Sequence, residues 1–463
     1  MSEADKKTLL VPMRPALDKD LWPIFDRIDQ SIPPIYDQLL PPQEVIETAK
    51  ETFFASGRTE NPDLRPLGVD LEDLTRQEID WVDFKYRLAE TEMAEPVKQA
   101  YLWRTNEEIA KCRMVHYSVM GDMRRFRRYN EFIYNRPDPE IYKATTDWFR
   151  HQASELTDHE VPEVREAAEQ VLGLVPDLDG NRTDLMPSPE VFELIKEQHF
   201  KEGGYFALVL AGVNLPEGTK VPLEVGDPAL IRVLNNIQSG YSLADARGSA
   251  WSADHINRVL SRPATYNMPY TRFLGLPVGH EVRHIVERQN GLRQPIRLLG
   301  GGLDRYESGN EGRAVIGEQV PYKSFEQFAK QLRWQDIMRR HFAISLAAGA
   351  VGEPRSFSET FRIVNAVDRL WQRSKKPEDI GIADERADKR TWDLMATKVF
   401  KGTDGSGGAA YLKDKLYLEG NVRCWKVAET NPELIGLGDR GKFDITEPRH
   451  IAINQALGVL PTL

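Results

Sequence analysis

Cysteine is nearly absent. The 463-residue chain has two, Cys112 and Cys424. Two isolated thiols make neither a disulfide framework nor a thiolate zinc cluster, so any metal must be held by imidazole and carboxylate. Long apolar runs are missing as well. None approaches the roughly 18 residues that span a bilayer, and the opening MSEADKKTLLVPMRP lacks the apolar core of a secretory signal. These absences point to a cytoplasmic chain with no membrane partner. Positive charge is not in excess either: 61 Lys and Arg against 71 Asp and Glu give a net charge of −10, which argues against a nucleic-acid surface. A local basic run, Arg124, Arg125, Arg127 and Arg128, reads as a solvated helix face. The Gly-rich segment KGTDGSGGAAYLKD from Lys401 lacks the order of a phosphate-binding P-loop.

What is present is an ordinary globular composition, 41% hydrophobic and 29% charged, on a chain long enough for two domains or one domain with an appendage. The pattern predicts an α+β, mainly helical fold. Residues 1–35, rich in Pro, Asp and Lys, read as an irregular arm, and 36–180 as a helical N-terminal region. PPQEVIETAKETFFASG places Val45, Ala49 and Phe53 at helical spacing. Helices are also expected in VKQAYLWRTNEEIAKCRMVHYSVMGDMRRF and DPEIYKATTDWFRHQASEL. The turn-rich VPDLDGNRTDLMPSP marks the boundary to a second region, 186–463. There the apolar run GGYFALVLAGVNLP from Gly203 predicts a strand, with further strand material near Tyr266 to Phe273. A helix through VGHEVRHIVERQNG stops at Asn290-Gly291, and another runs through WQDIMRRHFAISLAAGAVG.

The segment His280-Glu281-Val282-Arg283-His284 carries the chemistry. On a helix, positions i and i+4 face the same way, so both imidazoles can reach one ion. Glu281 then sits where it can face a metal-bound water without coordinating the metal, as in the H-E-x-x-H pattern of zinc hydrolases. A third ligand is needed, with the fourth position left to water. Downstream, RYESGNEGRAVIGEQV offers Glu307, Glu311 and Glu318. Glu311 fits best because it opens a helical stretch after the Ser-Gly-Asn turn. Glu307 and Glu318 are either solvated or partners to the histidines. The other histidines, His116, His151, His159, His199, His255, His341 and His450, show no ligand spacing and read as surface or core residues.

HEVRHIVERQNGLRQPIRLLGGGLDRYESGNEGRAVIGE resembles the family of the microtubule-associated tyrosine carboxypeptidases and their bacterial homologues. The bacterial members carry a QEGLA-type motif, which here reads Asn310-Glu311-Gly312-Arg313-Ala314. The shared elements run in order: the His-Glu-led helix, Asn290-Gly291, Gln294-Pro295, Gly302-Leu303, Tyr306 and Glu311-Gly312. SFSETFRIV from Ser356, VFKGTDGSGG from Val399 and YLKDKLYLEGNVRCW from Tyr411 continue it. Two departures stand out. The family usually has H-E-x-x-x-H where this chain has H-E-x-x-H, and Arg313 stands where Leu is usual.

The resemblance implies a zincin-like metallopeptidase domain binding Zn2+ through His280, His284 and Glu311, with Glu281 as catalytic base. It also implies removal of a C-terminal, aromatic residue from a peptide or protein tail. An oxyanion donor is then expected among Tyr306, Tyr411 and Tyr417. A cation for the substrate carboxylate is expected from Lys413 or Arg305. The competing expectations are an endopeptidase or aminopeptidase with the same zinc chemistry, and a catalytically silent zinc-binding interaction protein.

Overall fold

The computed structural model describes residues 10–201, 204–213, 218–246 and 251–462. The described chain is mainly helical, with two small sheets. Among the described residues no helix is long and apolar enough to cross a membrane.

The N-terminal half consists of helices whose starts are written locally. Asp70 accepts from the backbone of Glu72 and Asp73 to open Leu71–Glu90, Asp122 caps Met123–Tyr134, and Asp138 caps Pro139–Ser154. Such side-chain caps satisfy amides that have no partner inside the helix. The helices expected from the sequence are found as Gln43–Ala55, Glu95–Val119, Met123–Tyr134 and Pro139–Ser154. The arm departs from expectation. Where 1–35 reads as irregular, Trp22–Asp29 is a helix that buries Phe25 and Ile28. Phe25 packs 4.8 Å from Trp81 and 5.7 Å from Tyr101, centroid to centroid. The arm is also tied to the C-terminal region. The Asp18 carboxylate accepts from Tyr101 Oη (2.7 Å) and from the amides of Arg297 (2.5 Å) and Leu298 (3.3 Å). Pro and Asp mark irregular backbone, but the apolar spacing of Leu21, Phe25 and Ile28 is the stronger determinant.

A second difference concerns the apolar run after Gly203. Gly203 itself and 214–217 lie outside the described residues, and Tyr205–Val213 is a helix rather than a strand. A continuous apolar run has no period to separate the two states, and burial decides. Tyr205 donates from its hydroxyl to the Val278 carbonyl (2.6 Å), so this helix braces the segment leading to His280. The strand content lies in two small sheets. Lys220–Pro222 pairs antiparallel with Asn267–Pro269, and the helix Tyr270–Phe273 follows at once. Val259–Arg262 is central between Ser242–Asp245, parallel to it, and Ser252–Asp254, antiparallel.

Three helical segments position the site. Leu274–Val282 is a π-helix that continues as the α-helix Arg283–Gly291. Glu307–Gln319 lies between this rod and the helix Leu416–Thr430. Glycines set both crossings. A methyl group on Gly279 would strike the Gly317 carbonyl, and one on Gly312 would strike the backbone of Gly420. The absence of Cβ lets the backbones approach closely enough to bring the helices carrying His280, His284 and Glu311 together. Glu311 does not open its helix, as the Ser-Gly-Asn turn suggests. The helix begins at Glu307, one turn earlier. The Gly-rich loop after Lys401 is structural: Gly402 donates to the Leu64 carbonyl (2.9 Å), and Leu64 donates back to Thr403 (2.8 Å).

Candidate metal centre

His280, His284 and Glu311 each offer one ligand atom, and these atoms lie within 4.8 Å of one another. The i, i+4 spacing puts the two imidazoles on one helix face, with ring centroids 5.0 Å apart. Glu311 Oε2 from the neighbouring helix faces both rings, 3.5 Å from His280 Nε2 and 3.8 Å from His284 Nε2. These separations are long for hydrogen bonds, and Glu311 Oε2 is buried with no hydrogen-bond partner. Ligands about 2.0–2.1 Å from a tetrahedral ion lie about 3.3 Å from each other. The two separations from Glu311 lie near that value, so the group could hold a small cation.

The outward nitrogen of each ring is held. His280 Nδ1 donates to Glu318 Oε1 (2.8 Å), and Glu318 is gripped by Arg333 through Nε (2.8 Å) and Nη2 (2.7 Å). His284 Nδ1 lies 3.2 Å from Glu287 Oε2, which also accepts from Asn310 Nδ2 (2.7 Å). Carboxylates behind metal-ligating histidines fix the tautomer and make the ligand nitrogen more basic. Glu287 in turn pairs with Arg313, and Arg313 reaches Asp439 Oδ1 (2.9 Å). Arg283, inside the H-E-x-x-H motif, joins the same group. It donates to the Arg313 carbonyl (2.8 Å) and to His199 Nε2 (2.8 Å), and lies 3.3 Å from Asp439. Arg313 is thus charge-matched by Glu287 and Asp439.

Electrostatics follow from burial and these partners. At His280 burial opposes charge, but Glu311 and Glu318 overcome it and hold the imidazole up at about 10. His284 is raised in the same sense, against burial, by Glu287 and Glu311. Burial works against Glu318 too, yet Arg333 and His280 hold its carboxyl down at about 2. The negative charge that raises both imidazoles is the charge a divalent ion would use in place of their protons.

The three ligands line a cavity of about 310 Å³ together with Glu281, Tyr306, Glu307, Asn310, Lys413, Tyr417 and Lys442. Trp251, Ser252, Ala253 and His255, on and around the edge strand Ser252–Asp254, form another part of its wall. Glu281 is buried here, next in the chain to His280. Tyr417 stacks over the His280 ring at 6.3 Å. Burial and the nearby Glu311 raise its phenol well above the ordinary value, and burial and Glu307 raise that of Tyr306. Both tyrosines stay protonated.

Two sequence candidates lie elsewhere. Tyr411 is fully buried, its hydroxyl is 3.1 Å from that of Tyr134, and it is not on the cavity wall. Proximity to Lys413 in the chain does not put it at the site, because Tyr411 precedes the turn that leads to Lys413. Arg305 also points away. It pairs with Asp304 (3.0 Å), and its guanidinium carbon is 5.8 Å from the Phe132 ring centroid. Its left-handed backbone (φ 51°) turns the chain between Asp304 and Tyr306. Lys413 is on the wall, ion-paired to Glu307 (2.9 Å). Lys442 and Trp251 were not singled out in the sequence and lie in no recognisable motif, and His255, which reads there as a surface or core residue, stands on the cavity wall. Glu287 was discoverable, since its position three residues after His284 is one helical turn away.

Comparison with family models, with curated proteins and with solved structures finds no match to this chain.

Proposed function

We propose that the chain is a zinc-dependent metallocarboxypeptidase of zincin type, hydrolysing the C-terminal, aromatic residue of a peptide or protein tail. The observation that carries the reading is the unpartnered Glu311 Oε2 facing Nε2 of His280 and His284, with Glu281 on the wall of the same cavity. Two imidazoles and one carboxylate suit Zn2+ with an open fourth position. The ordered likeness of the segments from His280 to Trp425 to the tyrosine carboxypeptidases supports the choice of carboxypeptidase among zinc peptidases.

When bound, zinc supplies Lewis-acid polarisation of the scissile carbonyl and acidifies water. Every other role falls to this chain. Glu281 takes a proton from the attacking water and delivers it to the leaving amine. The protonated hydroxyls of Tyr306 and Tyr417 stand on the cavity wall as donors for the developing oxyanion. Glu318 and Glu287 hold the two imidazoles in orientation.

The test is Glu281→Gln beside wild type, assayed on peptides ending in Tyr or Phe with zinc content measured on the same samples. The expected result is a loss of about 10²–10⁴-fold in rate with zinc retained. Full activity in the variant would sink the mechanism.

A further inference from the structure

Two amines line the metal cavity, and they differ in one respect. Lys413 is neutralised by Glu307 at 2.9 Å. Lys442 is 5% exposed, and its amine has no hydrogen bond or ion pair among the described residues. Its Nζ lies 5.8 Å from the centroid of the Tyr306 ring. The backbone beneath it is pinned. Lys442 N donates to the Leu299 carbonyl (2.7 Å), and Leu303 N donates to the Lys442 carbonyl (3.0 Å), which ties this residue to the segment leading into Tyr306.

A buried amine without a counter-ion is costly. Burial and Arg288 push Lys442 down to about 7, although Glu287 and Glu307 pull the other way. The cavity's own carboxylates are engaged elsewhere: Glu307 with Lys413, Glu311 with the two imidazoles, and Glu281 in proton transfer. An incoming anion is therefore what completes the charge balance at this wall.

We propose that Lys442, rather than Lys413 or Arg305, receives the terminal α-carboxylate of the substrate and so sets the preference for a free C-terminus. This rests on the carboxypeptidase reading. A buried ammonium facing one carboxylate makes a strong charge-assisted contact. Lys442 lines the same cavity as His280, His284, Glu311 and Glu281, so a substrate anchored there at its carboxylate has its last residue in the cavity with the catalytic groups.

The test uses the full-length, zinc-loaded protein and two peptides ending in Tyr that differ only in a C-terminal acid or amide. Wild type should favour the acid. Lys442→Met should lose about 30-fold or more on the acid, mainly through KM, and little on the amide, so that the preference collapses while zinc stays bound. Lys442→Gln serves as a second neutral variant, and Lys442→Arg should recover part of the preference. Lys413→Met should keep the acid preference. Retained preference in Lys442→Met and Lys442→Gln overturns the assignment and leaves the peptidase reading intact. If zinc-loaded wild type cleaves neither peptide, the peptidase reading fails. Calorimetric binding of the same acid and amide to wild type and Lys442→Met then decides the anion site: loss of acid binding supports it, and equal binding overturns it.

Discussion

Replacing Arg313 by leucine removes a guanidinium from a fully buried position and leaves its two carboxylate partners behind. The two partners do not suffer equally. Asp439 keeps Arg283 at 3.3 Å. Glu287, itself fully buried, keeps hydrogen bonds only from Asn310 and His284 among the described residues, with Arg283 acting at longer range. Breaking a buried pair from one side costs about 3–5 kcal/mol because the other charge is stranded. Glu287 is also the group behind His284, and loosening such a partner typically lowers metal affinity about 10–100-fold. Thermal unfolding should therefore drop by several degrees, and competition with a chromogenic chelator should show weaker zinc binding. Glu287→Gln combined with Arg313→Leu removes the stranded charge, so the double variant should be more stable than Arg313→Leu alone. A stability and zinc affinity unchanged in Arg313→Leu would refute the role assigned to this buried network.

The helix crossing makes a second prediction. Gly317→Ala places a methyl group against the Gly279 backbone and should cost about 1–3 kcal/mol and weaken zinc binding, whereas Gly381→Ala, which meets nothing within 4 Å, should not destabilise. Equal melting temperatures for the two variants would contradict the close-approach argument. A third concerns acid stability away from the metal. Burial opposes the charge of Glu419, yet Lys415 and His341 lower its carboxyl to about 2. A folded value depressed below the unfolded one contributes stability above about 4.5 that is lost as pH falls toward 2. Glu419→Gln should flatten the decline of the urea midpoint between pH 5 and 3, and an identical decline in wild type and variant would count against it.

The convergence of His280 and His284 was legible because their spacing is itself geometric. The i, i+4 spacing predicts their convergence from the helix period, and the rings do meet, although His280 lies in the π-helix Leu274–Val282. Glu311 required a second element, and its position one turn after Glu307 became visible only with the helix boundary. Lys442 was not legible. It reaches the cavity through backbone pairing with Leu299 and Leu303, a long-range contact with no periodic trace. Tyr411 and Lys413 show the limit from the other side. They are two residues apart, yet the first is sealed against Tyr134 and the second lies on the wall of the cavity that His280, His284 and Glu311 line. In the fold, helices with caps and amphipathic spacing were readable. Tyr205–Val213 was not, because an all-apolar segment carries no phase.

The measurement that bears most directly on the site is metal content by mass spectrometry of purified wild type beside His284→Ala and Glu311→Ala. The three-ligand geometry predicts about one zinc per chain in wild type and loss of it in both variants. A wild type that stays metal-free after incubation with zinc, or variants that keep the ion, would contradict it.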